Sequence, residues 1–386
     1  MTPGARLQAA IVVLDAWVAG MPVEQALTNW ARSARYAGSG DRAAVRDHVY
    51  DIMRARGTCA ALGGGETGRA LAIGLLRMQG GDPAALFTGQ GHAPDALSEA
   101  ELAGGTEPAG TADVPGWTLP LLEARVGGEL APLLGAFRSR APVYLRVNLR
   151  RIDLPGSVAA LARDGVAAEP VAGAATALVV TSGARRIKSC TAYQDGLVEL
   201  QDLSVQRAVR GIDWPEGRIL DYCAGGGGKA LAIADACGSQ VFAHDANPGR
   251  MADLPPRAER AGVVIRTLDR AALARMGRFD AVLCDVPCSG SGTWRRDPEA
   301  KWRLTPERLA ELERVQAAIL AEAAPLVRPG GSLVYMTCSL FHAENEAQIA
   351  RFCAQATGWQ VAQTGCDTPL SASDGFFHAV LRAPEA

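Results

Sequence analysis

The sequence of 386 residues has no long apolar run and no recognisable export signal. No apolar stretch reaches the ~18 residues that a membrane-spanning helix needs. The first residues, MTPGARLQAAIVVLDAW, lack the basic and then apolar layout of a signal peptide, and Asp15 interrupts their longest apolar stretch. These absences predict a cytoplasmic protein without a membrane partner.

Paired cysteine motifs are also absent, although the chain has nine cysteines. An odd number of cysteines in a long chain without an export signal excludes a disulfide framework. The spacings do not form the paired CxxC sets of a structural zinc site, so no metal is expected. The remaining interpretation is buried thiols with one or two reactive ones among them.

A strong net charge is the third missing feature, because the chain carries a formal charge of −2. The distribution is nevertheless uneven. Residues 138–188 contain nine basic and three acidic residues, whereas residues 81–113 contain six acidic residues and no Lys or Arg. This polarity favours one anion-attracting face, although a merely solvated basic surface fits the charges equally well.

Changes in pattern along the chain predict four regions. Residues 1–80 have apolar residues at helical spacing, and residues 81–116 are rich in Gly, Ala, Pro and acid, as in a linker. Residues 117–200 combine the strand patterns VYLRVNL and ALVVT with a helix pattern, which predicts a small α+β module. Residues 201–386 alternate between strand and helix, which predicts a doubly wound, mostly parallel sheet.

The strands predicted for the last region place its motifs at one edge of that sheet, since parallel strands have their carboxyl ends together. Ligands bind at this edge in open α/β folds. The predicted strands are RILDYC (218–223), QVFAHD (240–245), GVVIRT (262–267), FDAVLCD (279–285), GSLVYMTC (331–338) and FFHAVLR (376–382).

The segment DYCAGGGGKA follows the first of these strands and leads into a helix. Its glycines permit positive φ and close approach of a ligand, and the helix N-terminus offers free N–H groups. Asp245, at the end of the next strand, is placed to bind ribose hydroxyls. Ala230 after Lys229 excludes a P-loop, and Asp221 suits a ligand with a cationic amino acid end. A glycine loop alone also fits an NAD enzyme or a structural turn.

Two further motifs bring cysteines to strand ends. DVPCSGSGT places Asp285 and Cys288 after one strand, and Cys338 ends the next one. A thiolate that adds to C6 of cytosine makes C5 nucleophilic, so this set fits methylation of cytosine by covalent catalysis. The remaining cysteines are expected to pack as small apolar residues: Cys59, Cys190, Cys223, Cys237, Cys284, Cys353 and Cys366.

The motifs resemble those of the Sun/Nop family of RNA cytosine-5 methyltransferases, in particular the branch of bacterial 16S rRNA methyltransferase B. The resemblance implies a Rossmann-like class I methyltransferase domain that uses S-adenosyl-L-methionine. It implies that Cys338 is the nucleophile, that Cys288 promotes product release and that Asp285 contacts cofactor and base. The residues that carry it are QDLSVQ (201–206), DYCAGGGGK (221–229), Asp245, Asp269, DVPCSGSGT (285–293), TCS (337–339) and DGFF (374–377).

The same resemblance implies the cofactor-binding residues. Asp245 corresponds to the ribose-binding acid, Asp269 to the adenine-side acid, and Asp285 lies between cofactor and base. The loop residues complete the set: Cys223, Ala224, Gly225, Gly226, Gly227, Gly228 and Lys229. The family loop usually reads Ala-Ala-Pro-Gly-Gly-Lys-Thr, whereas Gly225, Gly226 and Ala230 stand here for the second Ala, the Pro and the Thr. Loss of the proline raises the unfolded entropy of the loop and softens it.

Upstream, PVYLRVN (142–148) resembles the start of the family's small RNA-binding module, and GDRAAVRDHVYDIMR (40–54) resembles a NusB-like all-α domain. The helical N-terminus favours rRNA over tRNA as the partner, and a monomer is expected. Candidate phosphate contacts are Arg146, Arg150, Arg185, Arg186 and Lys188. Trp294, Arg295, Arg296, Lys301 and Trp302 are candidates to cradle the substrate strand, although Trp302 fits a core position slightly better.

Other functions leave part of this pattern unexplained. A DNA cytosine-5 methyltransferase would use the Pro-Cys motif as nucleophile and would not need Cys338. An NAD-dependent enzyme accounts for neither cysteine motif. A non-catalytic ribosome assembly factor would not need Asp285, Cys288 and Cys338 together. A tRNA cytosine-5 methyltransferase remains open, since the sequence does not name the target nucleotide.

Overall fold

The computed structural model describes residues 1–106, 113–371 and 374–385. The chain divides into two compact units. The first comprises Met1–Arg140 and Trp294–Leu304, and the second comprises Ala141–Thr293 and Thr305–Ala386. Within the described ranges, none of the helices has the length and apolar character needed to cross a bilayer.

The α-helices of the described residues alternate with strands only from residue 143 onward. In chain order the helices are α1 (Pro3–Val18), α2 (Val23–Ser33), α3 (Ser39–Arg54), α4 (Arg56–Gly63), α5 (Gly68–Met78), α6 (Glu99–Leu102), α7 (Leu119–Val126), α8 (Leu130–Arg138), α9 (Leu154–Arg163), α10 (Thr191–Gln194), α11 (Leu203–Gly211), α12 (Gly228–Ala236), α13 (Leu254–Ala261), α14 (Arg270–Arg275), α15 (Pro298–Arg303), α16 (Pro306–Ala323) and α17 (Glu346–Gln355).

The strands form two separate sheets. In chain order they are β1 (Val143–Val147), β2 (Ala167–Pro170), β3 (Ala177–Ser182), β4 (Val198–Leu200), β5 (Arg218–Asp221), β6 (Gln240–Ala243), β7 (Ile265–Thr267), β8 (Phe279–Asp285), β9 (Val327–Thr337), β10 (Gln360–Asp367) and β11 (Phe376–Arg382).

The first unit is a helical assembly around an apolar core. The apolar residues that occur at helical spacing in the sequence are buried in this core. Four of them have no exposed surface: Leu14, Val45, Val49 and Ile52. The start of α1 is stabilised by Thr2, whose hydroxyl accepts a hydrogen bond from the backbone of the first turn. The described part of the unit therefore confirms the predicted helical character, whereas its likeness to NusB stays a prediction.

The small sheet has the strand order β2-β3-β1-β4, and its pairings are antiparallel. Helix α9 covers it through Leu161, which packs with Leu145, Val147 and Leu178 in one buried cluster. This sheet belongs to the same compact unit as the larger one. The predicted α+β module is thus present, built on residues 141–200 of this unit.

The large sheet has the order β10-β11-β9-β8-β5-β6-β7. Strands β5 to β9 are parallel, and β11 runs antiparallel to β9. Strand β10 pairs antiparallel with β11 and therefore has the same direction as β5 to β9. Neighbouring residues on one strand are buried on opposite faces: Val282 packs in one apolar cluster and Leu283 in the other. The strand order reverses between β5 and β8, and a ligand cleft is expected outside the carboxyl ends there. The predicted doubly wound, mostly parallel sheet is confirmed.

The region boundaries differ from the prediction in two places. Residues 117–140 form helices that belong to the first unit, because Leu122, Leu133 and Phe137 are buried there. Trp294–Leu304 also belongs to that unit, although prediction placed it in the last region. The predicted linker at 81–116 contains the short helix α6, and its residues 107–112 lie outside the described part of the chain.

Candidate active site

The glycine loop after β5 is closed by backbone hydrogen bonds onto the end of β6. Ala224 N donates to His244 O at 2.9 Å, and Gly227 N donates to Ala224 O at 2.8 Å. Gly225 and Gly227 have φ of +48° and +78°, in the left-handed region that glycine tolerates. The loop therefore presents backbone without side chains next to the N-terminus of α12.

Asp245 is the acid that anchors this loop. It is 3% exposed, and its two oxygens accept hydrogen bonds from Gly225 N at 3.0 Å and Asn247 N at 2.9 Å. A cavity of about 430 Å³ opens beside it, with His244 and Leu273 in its lining. The structure therefore places the predicted ribose-binding acid between the glycine loop and a cavity.

Asp269, the predicted adenine-side acid, is the N-cap residue of α14. It is exposed, and its carboxylate caps α14 by accepting from Ala272 N at 2.6 Å. Arg270, the next residue, lines the cavity beside Asp245. The contact of Asp269 with an adenine ring thus stays a prediction.

Asp221, at the end of β5, is a buried carboxylate without a strong partner. It is 1% exposed, and neither oxygen accepts a hydrogen bond of normal geometry from the described residues. Burial, and then the charge of Asp285, raise its pKa to about 7 against the opposing effects of Lys229 and the Ala230 N–H. A cationic ammonium group next to Asp221 would satisfy this carboxylate, so the site fits the amino acid end of S-adenosylmethionine.

The two predicted thiols meet beside the glycine loop. The Sγ atoms of Cys288, after β8, and Cys338, after β9, are 3.4 Å apart. With Cys288 as the donor in this contact, the pKa of Cys338 is lowered, in opposition to burial and Asp285 and with help from Lys229. The same contact, followed by burial, raises the pKa of Cys288 well above its usual value. These opposite shifts favour loss of a proton from Cys338 before Cys288.

Lys229 and Asp285 form an ion pair of 2.5 Å at this site. Burial disfavours the charged lysine, but the attraction of Asp285 outweighs it, and the pKa of Lys229 is raised. The Lys229 ammonium also lies 5.3 Å from the centre of the Phe376 ring. The first turn of α12 is thus tied to the end of β8, and a fixed positive charge lies near the Cys338 sulfur.

Glu344 supports both cysteine loops and was missed by the sequence analysis. It has no exposed surface, and its carboxylate accepts from Ser289 N at 2.8 Å and from Gln316 Nε2 at 2.9 Å. The hydroxyls of Ser289 and Ser339 also donate to it. These serines directly follow Cys288 and Cys338, so one buried carboxylate joins the two loops. A charged residue after a strand end is typical of an exposed loop, and a single sequence carries no signal against that interpretation.

The other cysteines occupy packing positions or the protein surface. Cys59, Cys190 and Cys284 are buried, and Cys366 is exposed. Cys223 lies in the glycine loop, where burial, followed by the charge of Asp221, raises the pKa of its thiol. A thiol held neutral in this way contributes packing to the loop rather than nucleophilic chemistry.

Part of the predicted RNA-contact set is wrong. Trp294 and Lys301 have no exposed surface, Arg295 is 8% exposed, and all three belong to the helical unit. Trp302 packs against the apolar core of that unit and donates to Met53 O at 2.6 Å. These side chains stabilise the helical unit and are not available to cradle a substrate strand.

The predicted phosphate contacts divide into buried and exposed residues. Arg146 is 5% exposed and forms an ion pair of 2.9 Å with Asp235, which contradicts its predicted contact with phosphate. Arg185, Arg186 and Lys188 are exposed on a 3₁₀ turn of the small module. A basic face therefore remains on this module.

Two family models match the second half of the chain and the region before it. The model described as 16S rRNA methyltransferase RsmB/F matches residues 213–384. The model described as a Methyltr_RsmF/B-like, ferredoxin-like domain matches residues 114–185.

Curated relatives carry consistent names. A "Probable ribosomal RNA small subunit methyltransferase B" from Synechocystis sp. is 34% identical over 64% of this chain and 57% of its own length. A "Ribosomal RNA small subunit methyltransferase B" from Salmonella arizonae is 32% identical over 69% of this chain and 66% of its own length. The chain thus spans 57% and 66% of the length of these two relatives, less than two thirds in each case.

Solved structures share the fold. The crystal structure of PH0851 has a TM-score of 0.76 at 21% identity and covers 99% of both chains. A structure described as a methyltransferase homolog protein from Pyrococcus horikoshii has a TM-score of 0.59 at 23% identity, covering 68% of this chain and 93% of that one. With the site, the family models and the relatives in agreement, the chain belongs to the Sun/Nop methyltransferase family and resembles its 16S rRNA methyltransferase B branch.

Proposed function

We propose that this protein methylates C5 of a cytosine in RNA, most readily 16S rRNA, with S-adenosylmethionine as methyl donor and Cys338 as nucleophile. The observation that carries the proposal is the thiol pair at 3.4 Å, with the Lys229–Asp285 ion pair beside it. A cysteine that only fills space does not require a proton-donating partner and a nearby cation.

The residues that would hold the methyl donor surround the glycine loop. Asp221 offers a carboxylate to its ammonium group, α12 offers N–H groups to its carboxylate, and Asp245 offers an acceptor to ribose hydroxyls. When bound, S-adenosylmethionine supplies an electrophilic methyl group. Asp245 already accepts two backbone hydrogen bonds, which hold its carboxylate in one orientation.

Cys338 begins the proposed reaction. Its thiolate forms a bond to C6 of the cytosine, while N3 takes up a proton and the former C5–C6 π electrons become available at C5. Asp285, held by Lys229, is the residue that we assign to proton exchange with N3 of the base. C5 then accepts the methyl group, whose bond to sulfur breaks so that S-adenosylhomocysteine is the leaving group. N3 returns its proton to Asp285 when the adduct breaks down.

Cys288 completes the proposed cycle. Once C5 carries both a methyl group and a hydrogen, a base must remove that proton. The electrons of the C5–H bond re-form the C5–C6 double bond, and the Cys338 sulfur leaves as a thiolate. We assign Cys288 to this stage because its Sγ lies 3.4 Å from the sulfur that must leave.

Substitution of each thiol tests this division of roles. Cys338→Ala should abolish methylation and yield no RNA adduct, whereas Cys288→Ala should trap methylated RNA as a covalent complex. The readout is a slowly migrating band on a denaturing gel after incubation with substrate RNA and S-adenosylmethionine. Cys366→Ala, at an exposed cysteine, is the matched control and should behave as wild type. A band from Cys338→Ala but not from Cys288→Ala would exchange the roles and favour the arrangement of DNA enzymes.

The substrate itself is tested in cells. Bisulfite sequencing of total RNA from a deletion strain should show one lost 5-methylcytosine, in the small-subunit rRNA. If the lost 5-methylcytosine is in a tRNA instead, the proposed rRNA substrate is wrong and the protein is a tRNA methyltransferase. Unchanged methylation with altered ribosome assembly would favour a non-catalytic RNA-binding role.

A further inference from the structure

The four consecutive glycines of the cofactor loop are held from outside by one face of α13. Residues three apart on a helix share a face, and α13 places Leu254 and Arg257 against the loop in this way. An added Cβ at Gly227 would lie 2.6 Å from the Leu254 side chain, so backbone and helix are in close contact. The Nη1 of Arg257 donates a hydrogen bond to the carbonyl of Gly226.

The other side of the Arg257 guanidinium faces the small module. Its nitrogens lie 3.4 and 3.5 Å from the two carboxylate oxygens of Glu199, on β4. Arg260, one turn along α13, binds the same carboxylate at 2.9 Å and stacks on Tyr193 at 4.3 Å. The Glu199 side chain is 11% exposed, so both ion pairs are partly shielded from water. Glu199 thus orients Arg257 toward the loop.

The peptide between Gly226 and Gly227 is the part of the loop that this contact controls. A carbonyl and the following N–H share one rigid plane, so a hydrogen bond to the carbonyl orients both groups. The N–H of the same peptide, that of Gly227, points in the opposite direction and donates to Ala224 O at 2.8 Å. With glycine on both sides, little steric resistance opposes rotation of this plane, and the usual proline of the loop is absent.

We propose that Arg257 is a positioning residue for the cofactor loop, which replaces by a hydrogen bond the rigidity that a proline would supply. The inference rests on the proposed function only in naming S-adenosylmethionine as the ligand. Arg257 acts through the Gly226 carbonyl and does not itself contact the reacting groups. Without the Arg257 side chain, the peptide between Gly226 and Gly227 can rotate. Part of the binding free energy of the ligand must then be used to fix this peptide in one orientation.

Arg260 is a matched control because it shares the Glu199 carboxylate but does not bind the loop. A purely structural role of the ion pairs predicts equal effects of Arg257→Ala and Arg260→Ala. A positioning role predicts that only Arg257→Ala changes the loop. Amide hydrogen exchange of the protein without ligand distinguishes them: peptides covering residues 222–229 should exchange faster in Arg257→Ala alone.

Calorimetric titration with S-adenosylhomocysteine gives the second readout. Arg257→Ala should weaken binding about tenfold, as expected for a lost hydrogen bond to a charged group, and Arg260→Ala should bind within about twofold of wild type. In turnover, KM for S-adenosylmethionine should rise by a similar factor, while kcat at saturating methyl donor should be retained.

A compensating substitution makes the test specific. Gly226 lies outside the left-handed φ region, and a Cβ there would meet only the Arg257 guanidinium, at 3.0 Å. Gly226→Pro in the Arg257→Ala background should therefore recover most of the lost affinity. Equal affinity of wild type and Arg257→Ala, or equal loss in both arginine variants, would overturn the inference. A wild-type protein that binds neither S-adenosylhomocysteine nor S-adenosylmethionine would instead refute the proposed function.

Discussion

Removal of the Glu344 carboxylate should destabilise the second unit and disorder both cysteine loops. In Glu344→Ala, the backbone N–H of Ser289 loses its acceptor in a buried site, and the amide of Gln316 keeps only its hydrogen bond to Pro287 O at 3.0 Å. The hydroxyls of Ser289 and Ser339 retain each other at 3.2 Å. Each buried N–H left without an acceptor costs about 1–3 kcal/mol, so the Ser289 N–H and the second Gln316 amide hydrogen together predict a loss of about 2–6 kcal/mol in the free energy of unfolding.

The isosteric variant Glu344→Gln separates charge from shape. It keeps one oxygen acceptor but turns an NH₂ group toward the serine hydroxyls, so we expect a smaller loss of about 1–2 kcal/mol. Burial raises the pKa of Glu344 from its ordinary value of 4.5. The stability that this group contributes is therefore fully present below pH 4.5 and is lost as the pH rises through its raised pKa. Glu344→Gln should remove that decline.

Urea unfolding of both variants, followed by fluorescence between pH 4.5 and 8, measures these changes. Alkylation of Cys338 by iodoacetamide in the folded protein reports on the loops and should slow as its arrangement with Cys288 is lost. Glu346→Gln is the matched control, because Glu346 lies on the surface and pairs with His342. A loss below about 1 kcal/mol in Glu344→Ala would refute the assignment of Glu344 as the joint between the loops.

Three further predictions address the cofactor, the RNA and the helical unit. Asp245→Ala should weaken binding of S-adenosylmethionine in calorimetry and should also lower the thermal midpoint, because Gly225 N and Asn247 N lose their acceptor; unchanged affinity would contradict the assignment of Asp245 to the binding site. RNA affinity should fall steeply with salt, and the double reversal of Arg185 and Arg186 to Glu should weaken binding to unrelated RNAs alike and flatten the salt dependence; a salt-independent affinity of the wild type would contradict this. Burial lowers the pKa of Lys301 to about 7 from 10.5, so the stability of wild type should rise between pH 7 and 10, where the unfolded chain binds the extra proton. Lys301→Met should lack this rise in thermal unfolding scans, and an identical pH dependence in both proteins would refute the role of Lys301.

The sequence predicted best where a strand pattern ends in residues with distinctive chemistry. FDAVLCD and FFHAVLR have the observed bounds of β8 and β11, and Asp285, Cys288 and Cys338 do meet as predicted. Parallel strands place their carboxyl ends together whatever the intervening loops contain, so linear motifs suffice to locate this edge. Strands β2, β4 and β10 were missed, because they are short or, in β10, mostly exposed, and lack a continuous apolar pattern.

Long-range partners account for the errors among charged residues. Arg146 and Lys301 have the composition of surface cations, and both are buried by contacts with residues more than 80 positions away. Glu344 is a related case with a negative charge, because its partners lie up to 55 positions away. Local patterns hold no information about such partners, since a buried charge is decided by what packs against it.

The allocation of Trp294–Leu304 to the helical unit has a consequence for dissection of this protein. The chain crosses between the units after Arg140, after Thr293 and after Leu304, so no single cut separates them. A fragment that begins at Ala141 would retain this segment without the residues that bury Trp294 and Lys301. In this fragment, Trp294 would be exposed to solvent and Lys301 would lose its hydrogen-bond acceptor, the Arg54 carbonyl. An exposed apolar surface of this kind favours aggregation.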